Sequence, residues 1–555
     1  MKKSLVLNSP AEKLLNIIFV CVILWLLREV QDVLGHLRII YNAGFHSPAG
    51  CYFSSEERSS QMNVLAIHTN FWSLLAFLLY VLMMMSVGII TVRFSSRGLG
   101  EFFLGGRQMK SFVVALSAVT SGRSAWLLIG VSGLAFTRGV SAVWAVVGYI
   151  VVELFMFVFP GKRLRYFTGK MGDITIPDYM ESRFEDSKHL LRLFSLIPIL
   201  IFMTAYVSAQ FNAGGKSLAA SFNITSFQGI LITAAIVIFY TVLGGFVAVC
   251  WTDMLQGLFM IFALMILPII AIIHFGGIGK LLSTLGNVSP GYIDTFSISV
   301  GALISYLGIG FGSPGNPHIL NKYMSIENPE KLNKTGLIGT IWNVLMAWGA
   351  VFIGLAGRAI YQDVANLPNK DPENVYPLLG SQQLHPFVFG LTIAAIFAAI
   401  MSTASSQLLV ASSAVVRDFY QKIMAKGKNI PEKRLVLISR AVTFLVALVA
   451  LIFAAYANKL VFYLVLFAWG GLGAAFGPSL LLSLYWKKTS REAVIAGILV
   501  GSLTEIIWYL IPSLKSIVSE WVPAFILSFL AVVIVSFLTQ PPQRTEEFME
   551  FMKGK

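Results

Sequence analysis

Apolar residues fall along the chain in long unbroken runs, not in the alternating or 3.6-residue stripes of half-buried soluble elements. A helix of about 17–25 apolar residues crosses the hydrocarbon core of a bilayer. Such runs occupy 71–92, 111–136, 140–159, 191–212, 226–243, 246–274, 297–313, 335–358, 386–415, 436–456, 459–485, 491–512 and 521–539. A shorter run over 14–27 is flanked by Lys13 and Arg28, with Lys2 and Lys3 ahead of it. No small-residue cleavage site follows, because Arg28-Glu29-Val30-Gln31 continues the chain. An uncleaved fourteenth helix is expected there, with a cleaved signal or an interfacial helix as the alternatives.

Composition agrees. Of 555 residues, 56% are hydrophobic and 12% charged, against about 25% charged in soluble domains. A mean hydropathy of +0.76 excludes a water-soluble enzyme and a disordered chain, and three cysteines exclude a disulfide scaffold. The net charge of +14 reads as loop charge, not as a nucleic-acid surface, because membrane proteins gather Lys and Arg on the cytoplasmic side. Basic segments at 93–110, 162–192, 322–334, 417–434, 487–491 and beyond 544 alternate with loops poor in such residues, apart from the long 28–70 segment with its three arginines. That alternation places the C-terminus in the cytoplasm of a multi-pass cell-membrane protein, with the lipid bilayer as its surroundings.

Two runs are interrupted by small and polar residues: Ser117-Ala118-Val119-Thr120-Ser121-Gly122-Arg123-Ser124-Ala125-Trp126, and Gly308-Ile309-Gly310-Phe311-Gly312-Ser313-Pro314-Gly315-Asn316-Pro317. Broken backbone inside a bilayer is tolerated where it is buried in protein or lines a cavity. Counted from residue 111 these are the first and sixth helices, which suggests two inverted repeats of five around a central site; packing glycines in ordinary helices are the plain alternative. Ionisable residues inside spans are costly unless paired or solvated. Arg123 lies mid-span, and Glu153 and Asp253 each lie roughly 10 Å from the basic side at about 1.5 Å per residue; one of the two acids is expected to reach Arg123. Glu505 reads as a more isolated, peripheral acid. The run Ser402-Thr403-Ala404-Ser405-Ser406-Gln407 places hydroxyls mid-helix, which suits a hard alkali cation or, equally, hydrogen bonds between helices. There is no catalytic acid–base or metal constellation, and Gly308-x-Gly310-x-Gly312 follows no strand, so it is no phosphate loop.

Phe103-Leu104-Gly105-Gly106-Arg107, the stretch from Tyr240-Thr241-Val242-Leu243-Gly244-Gly245 to Trp251-Thr252-Asp253, and Met401-Ser402-Thr403-Ala404-Ser405-Ser406-Gln407 resemble the sodium:solute symporter family, and within it the bacterial sodium/proline symporters. Ile176-Pro177-Asp178-Tyr179, Arg183-Phe184-Glu185-Asp186 and Pro317-His318-Ile319-Leu320 fit as well, so the resemblance covers roughly 75–540. It implies an all-α, LeuT-type core of five plus five inverted-repeat helices working by alternating access. Its principal sodium site would use carbonyls near Thr120 and Arg123, the carbonyl of Ala399, and the hydroxyls of Ser402 and Thr403. A second sodium, present in some members, would meet Asp253, Thr403, Ser405 and Ser406. Substrate would lie near Ser124, Ala125, Tyr206, Gln210, Ile309 and Ser313. Two departures stand out: Gly122, followed by Arg123, stands where proline symporters have an acidic residue in the first core helix, and Ile309 and Ser313 correspond to aromatic residues of the sixth.

Arg123 has three readings: it neutralises a solute carboxylate, it occupies the cation place and makes transport sodium-independent, or it is a paired structural arginine. The expected function is sodium-coupled symport of a small solute, an amino acid such as proline or another carboxylate, with Na+ as coupling ion, no other cofactor, no nucleic-acid partner and a monomer as the working unit. A sodium-independent exchanger and a transporter-derived sensor are the alternatives. The expected layout is an N-terminal segment (1–70), a pre-core helix and loop (71–110), a ten-helix core (111–490), two further helices (491–540) and a tail (541–555).

Overall fold

The computed structural model describes residues 70–95, 98–425, 430–457 and 460–554. The apolar run over 14–27 lies outside the described residues. Among these residues every regular element is helical, and ten helices are long and apolar enough to cross a membrane.

Helix α1 (Phe71–Ser95) precedes the core. The first core helix is broken: α2 (Ser111–Gly122) stops, Arg123 turns out of the helix (φ −109°, ψ 64°), and a π-turn over Trp126–Val131 leads into α3 (Ser132–Arg138). Next come α4 (Val143–Val158), then α5 (Pro160–Met171) and α6 (Ile176–Phe184) on the basic side, and α7 (Leu190–Phe222). Helix α8 (Ser226–Phe275) is 50 residues long, starts with a capping box on Thr225 and Gln228, and bends where Gly245 takes φ 62°, ψ −167°. That conformation is essentially reserved for glycine. It converts the two expected runs, 226–243 and 246–274, into two spans that share one hinge residue.

The sixth core helix is broken too. Helix α9 (Val300–Leu307) passes into a tight 3-10 coil over Gly308–Gly315, and Pro317 restarts the chain at the first turn of α10 (Pro317–Ser325), where a missing N–H costs nothing. Helices α11 (Leu332–Tyr361), α12 (Pro386–Ser413), α13 (Glu432–Ala455) and α14 (Val461–Tyr485) complete the second five. A broken helix therefore heads each group of five, the order expected of a LeuT-type core. Helices α15 (Arg491–Leu510) and α16 (Trp521–Leu538) follow.

Burial separates centre from rim. The most apolar stretch of α12 is 94% buried, whereas those of α15 and α16 are 33% buried. Helix α12 is enclosed by α1, α7 and α8, while the coil over 308–315 packs between α4 and α14. The C-terminal Thr545–Phe551 helix packs against α5: Phe548 is buried, with its ring 5.4 Å from that of Phe167.

Replacing Gly245 by Ala should destabilise the fold by about 1–3 kcal/mol, the usual cost of such a backbone conformation. A lower melting temperature in detergent is expected, while exposed Gly279, where an added methyl meets nothing within 4 Å, should tolerate Ala. Equal melting of the two variants would contradict the hinge assignment.

Candidate functional site

At the break after Gly122, α12 supplies partners for the carbonyls of Thr120 and Ser121, the first of which also accepts from the Arg123 amide, and α4 supplies one for that of Gly122. The Ser402 hydroxyl donates to the carbonyl of Thr120 at 3.3 Å and lies 3.0 Å from that of Ala399. The Thr403 hydroxyl donates to the carbonyl of Ser121 at 2.9 Å. The Tyr149 hydroxyl on α4 donates to the carbonyl of Gly122 at 3.1 Å. Carbonyls at the break and hydroxyls of α12 thus converge in a buried ring with no charged side chain among these bonds. Ser405 instead donates to the carbonyl of Ser402 in its own helix.

One turn toward the basic side lies a buried ion pair. Asp253 Oδ2 accepts from the hydroxyls of Ser117 and Ser121 at 2.7 and 2.8 Å and from the Lys322 ammonium at 3.0 Å. Ser121 also lies 3.1 Å from the Ser406 hydroxyl. Both charged side chains have no exposed surface. Lys322 had counted among the loop charges of 322–334; the structure places it inside α10, facing the bundle. Asp253 therefore does not pair with Arg123.

Arg123 pairs with the other acid. Its Nη2 lies 3.0 Å from Glu153 Oε2, its guanidinium carbon sits 3.2 Å above the Tyr149 ring, and Asn343 donates to the same Glu153 oxygen. Arg123 Nη1 has no hydrogen-bond partner. Gly122 is required here by close approach, because a side chain would run into the Tyr149 hydroxyl. The Tyr149 hydroxyl thus fills the space that a side chain at position 122 would need.

Between the two breaks lies a polar, aromatic-walled interior. The Ala125 amide donates to Gln210 Oε1 at 3.2 Å, and the Trp126 amide donates to the Ser124 hydroxyl at 3.2 Å. Tyr206 meets the His318 ring at 6.0 Å. The Trp469 indole on α14 donates to the carbonyl of Ile309 at 2.8 Å and lies 5.2 Å from Tyr149. Gln210 Nε2, Ser313 Oγ and Trp126 Nε1 are buried without partners. Tyr149, Trp469 and His318 were not among the expected site residues; aromatic residues inside apolar runs read as packing. Glu505 is not peripheral: it is fully buried on α15 and packs against Gly470, beside Trp469.

The sequence profile described as "Sodium:solute symporter family" matches residues 102–501. The chain belongs to the sodium:solute symporter family. It is 39% identical over 472 residues to the high-affinity proline transporter PutP of Bacillus subtilis (strain 168), covering 84% of this chain and 99% of that protein. It is 36% identical over 474 residues to the sodium/proline symporter of Escherichia coli (strain K12), with 84% and 93% covered. Among solved structures, a Na+-coupled sialic acid symporter in its substrate-bound outward-open state superposes with a TM-score of 0.72 at 19% identity, over 85% of this chain and 99% of that one. This likeness shows a shared fold. Membership of the symporter family does not favour the sodium-independent exchanger reading.

On the basic side of this symporter, charges cross-link the loop helices to the core. Arg192 at the start of α7 binds Asp178 and Asp418, each at 2.5 Å, and Glu181; Arg417 lies 3.2 Å from Asp178. Burial raises the Asp178 carboxyl, but Arg192 and Arg417 outweigh it and hold it below the usual range. Asp173, between α5 and α6, behaves oppositely: burial pushes it up to about 7, against the pull of the Ser182 hydroxyl bond. Being raised, it destabilises the fold only where it is charged; the penalty is absent below the unfolded carboxylate range and complete above about 7. Replacing Asp173 by Asn should therefore raise the melting temperature above about pH 8 and leave it unchanged below about pH 4. A shift independent of pH would contradict this.

Proposed function

We propose that this protein couples the sodium gradient to uptake of a small carboxylate-bearing solute, proline or a similar amino acid, by alternating access. The observation that carries this reading is the ring at the first break, where the carbonyls of Thr120 and Ala399 and the hydroxyl of Ser402 meet beside the Ser121–Thr403 bond. Neutral oxygens at this spacing suit a hard, weakly polarising cation. In the proposed site these atoms, with the carbonyl of Arg123, hold sodium.

The solute lies beside the ring, between the breaks, near Ser124, Ala125, Tyr206, Gln210, Ile309 and Ser313. Arg123 Nη1 and Gln210 Nε2 are buried donors without partners and fit a carboxylate. Tyr149, Tyr206 and Trp469 offer faces for an apolar ring. Proline itself stands in the names of the relatives above. The replaced aromatic positions, Ile309 and Ser313, leave Trp469 to provide the wall. Arg123 is a solute-facing arginine steadied by Glu153, not a substitute cation, because its guanidinium is held by α4 and not by the hydroxyls of α12.

The basic side is the cytoplasmic side by the distribution of Lys and Arg, so the C-terminus is cytoplasmic. Residues 111–490 form the transport core, with 71–110, 491–540 and 541–555 as additions around it. A single chain in the bilayer is the transporting unit, because both breaks and the whole ring come from one chain.

Uptake of labelled proline into proteoliposomes should require an inward sodium gradient. Ser402→Ala with Thr403→Ala should raise the sodium concentration for half-maximal uptake by about tenfold or more, as loss of a direct ligand worth about 1.4 kcal/mol would. Uptake indifferent to sodium, or unmoved by the double substitution, would overturn this assignment.

A further inference from the structure

Asp253 sits in a cage of serine hydroxyls. Oxygens come from three helices: Ser117 and Ser121 on α2, Asp253 on α8 and Ser406 on α12, with Ser121 touching both Asp253 and Ser406. Asp253 Oδ1 has no hydrogen-bond partner. A carboxylate among serine hydroxyls within the span needs a positive charge beside it. The charge present belongs to the chain: the Lys322 ammonium lies 3.0 Å from Asp253, 3.7 Å from Cys250 Sγ and 4.7 Å from the centre of the Phe246 ring.

We propose that Lys322 is a tethered cation that fills this inner cage, so that the protein binds and carries one sodium per solute instead of two. An ammonium matches sodium in charge and in its preference for hard oxygen partners, but it cannot leave. A free ion in the cage would be released and rebound in every transport cycle; Lys322 keeps Asp253 neutralised throughout. Ser121 joins the cage to the outer ring, because its hydroxyl donates to Asp253 while its carbonyl accepts from Thr403. Lys322 thereby also positions Ser121 for the sodium in the ring. This inference rests on the sodium-symport reading above.

The test is equilibrium binding of radiolabelled sodium to the purified full-length protein. The parent is expected to bind about one sodium, Lys322→Met about two, and Lys322→Met combined with Asp253→Asn about one again, since the number of sites follows the number of cages open. Lys322→Arg should keep the parental count. A parent that binds two sodium ions, or a folded Lys322→Met that still binds one, overturns the proposal. Should Lys322→Met not fold, Lys322→Gln takes its place in the same assay, two bound sodium ions supporting the proposal and one overturning it. A parent that binds no sodium at all overturns the symport reading itself, and this inference with it.

Discussion

The structure depends on one constraint: a peptide group freed from its helix inside a bilayer must find another partner within the protein. Two helices are broken in their middle, and four carbonyls at the breaks are answered by neighbouring helices. Ser402, Thr403 and Tyr149 serve the carbonyls of 120–122, and Trp469 serves that of Ile309. Because the partners on α12 are hydroxyls, the same contact that satisfies the backbone leaves a ring of oxygens able to hold a bare cation. Structural necessity and the proposed ion site are one arrangement.

Charge completes it. Two buried ion pairs flank the first break, Arg123 with Glu153 toward α4 and Lys322 with Asp253 toward α8. Breaking such a pair leaves an uncompensated charge, which costs far more than the pair gains; the pairs therefore fix where the ends of the break point more than they add stability. The Arg123 pair still leaves one guanidinium nitrogen free to meet a solute, whereas the Lys322 ammonium is enclosed by Asp253, Cys250 and the Phe246 ring. The charge network of Arg192, Asp178 and Asp418 ties the loop helix α6 to the start of α7 and to the segment that follows α12.

Much of this was legible in the amino-acid order because the relevant signals are local. Span length reads from run length, and the breaks read from Gly, Pro and Ser inside those runs. Gly244-Gly245 divides one apolar stretch into two, and the structure turns that division into a single glycine hinge. Other features are not local. Lys322 looks like a loop charge until α10 folds back to put it beside Asp253, 69 residues away. Tyr149 and Trp469 sit in apolar runs that read as packing, and their polar atoms matter only because the breaks expose carbonyls to them. Glu505 read as peripheral because nothing near it in the chain shows that Gly470 opens space for it. The expected choice between Glu153 and Asp253 as partner of Arg123 was decided by the same fact, since Asp253 was already taken.

The central claim is that sodium is held where the first broken helix meets α12. Hydrogen–deuterium exchange of the protein in nanodiscs, compared in sodium chloride and choline chloride, measures this directly. The account predicts that sodium slows exchange in segments 117–126 and 399–407 together, with no solute present. Protection that is absent, or that appears elsewhere while these two segments stay unchanged, would contradict it.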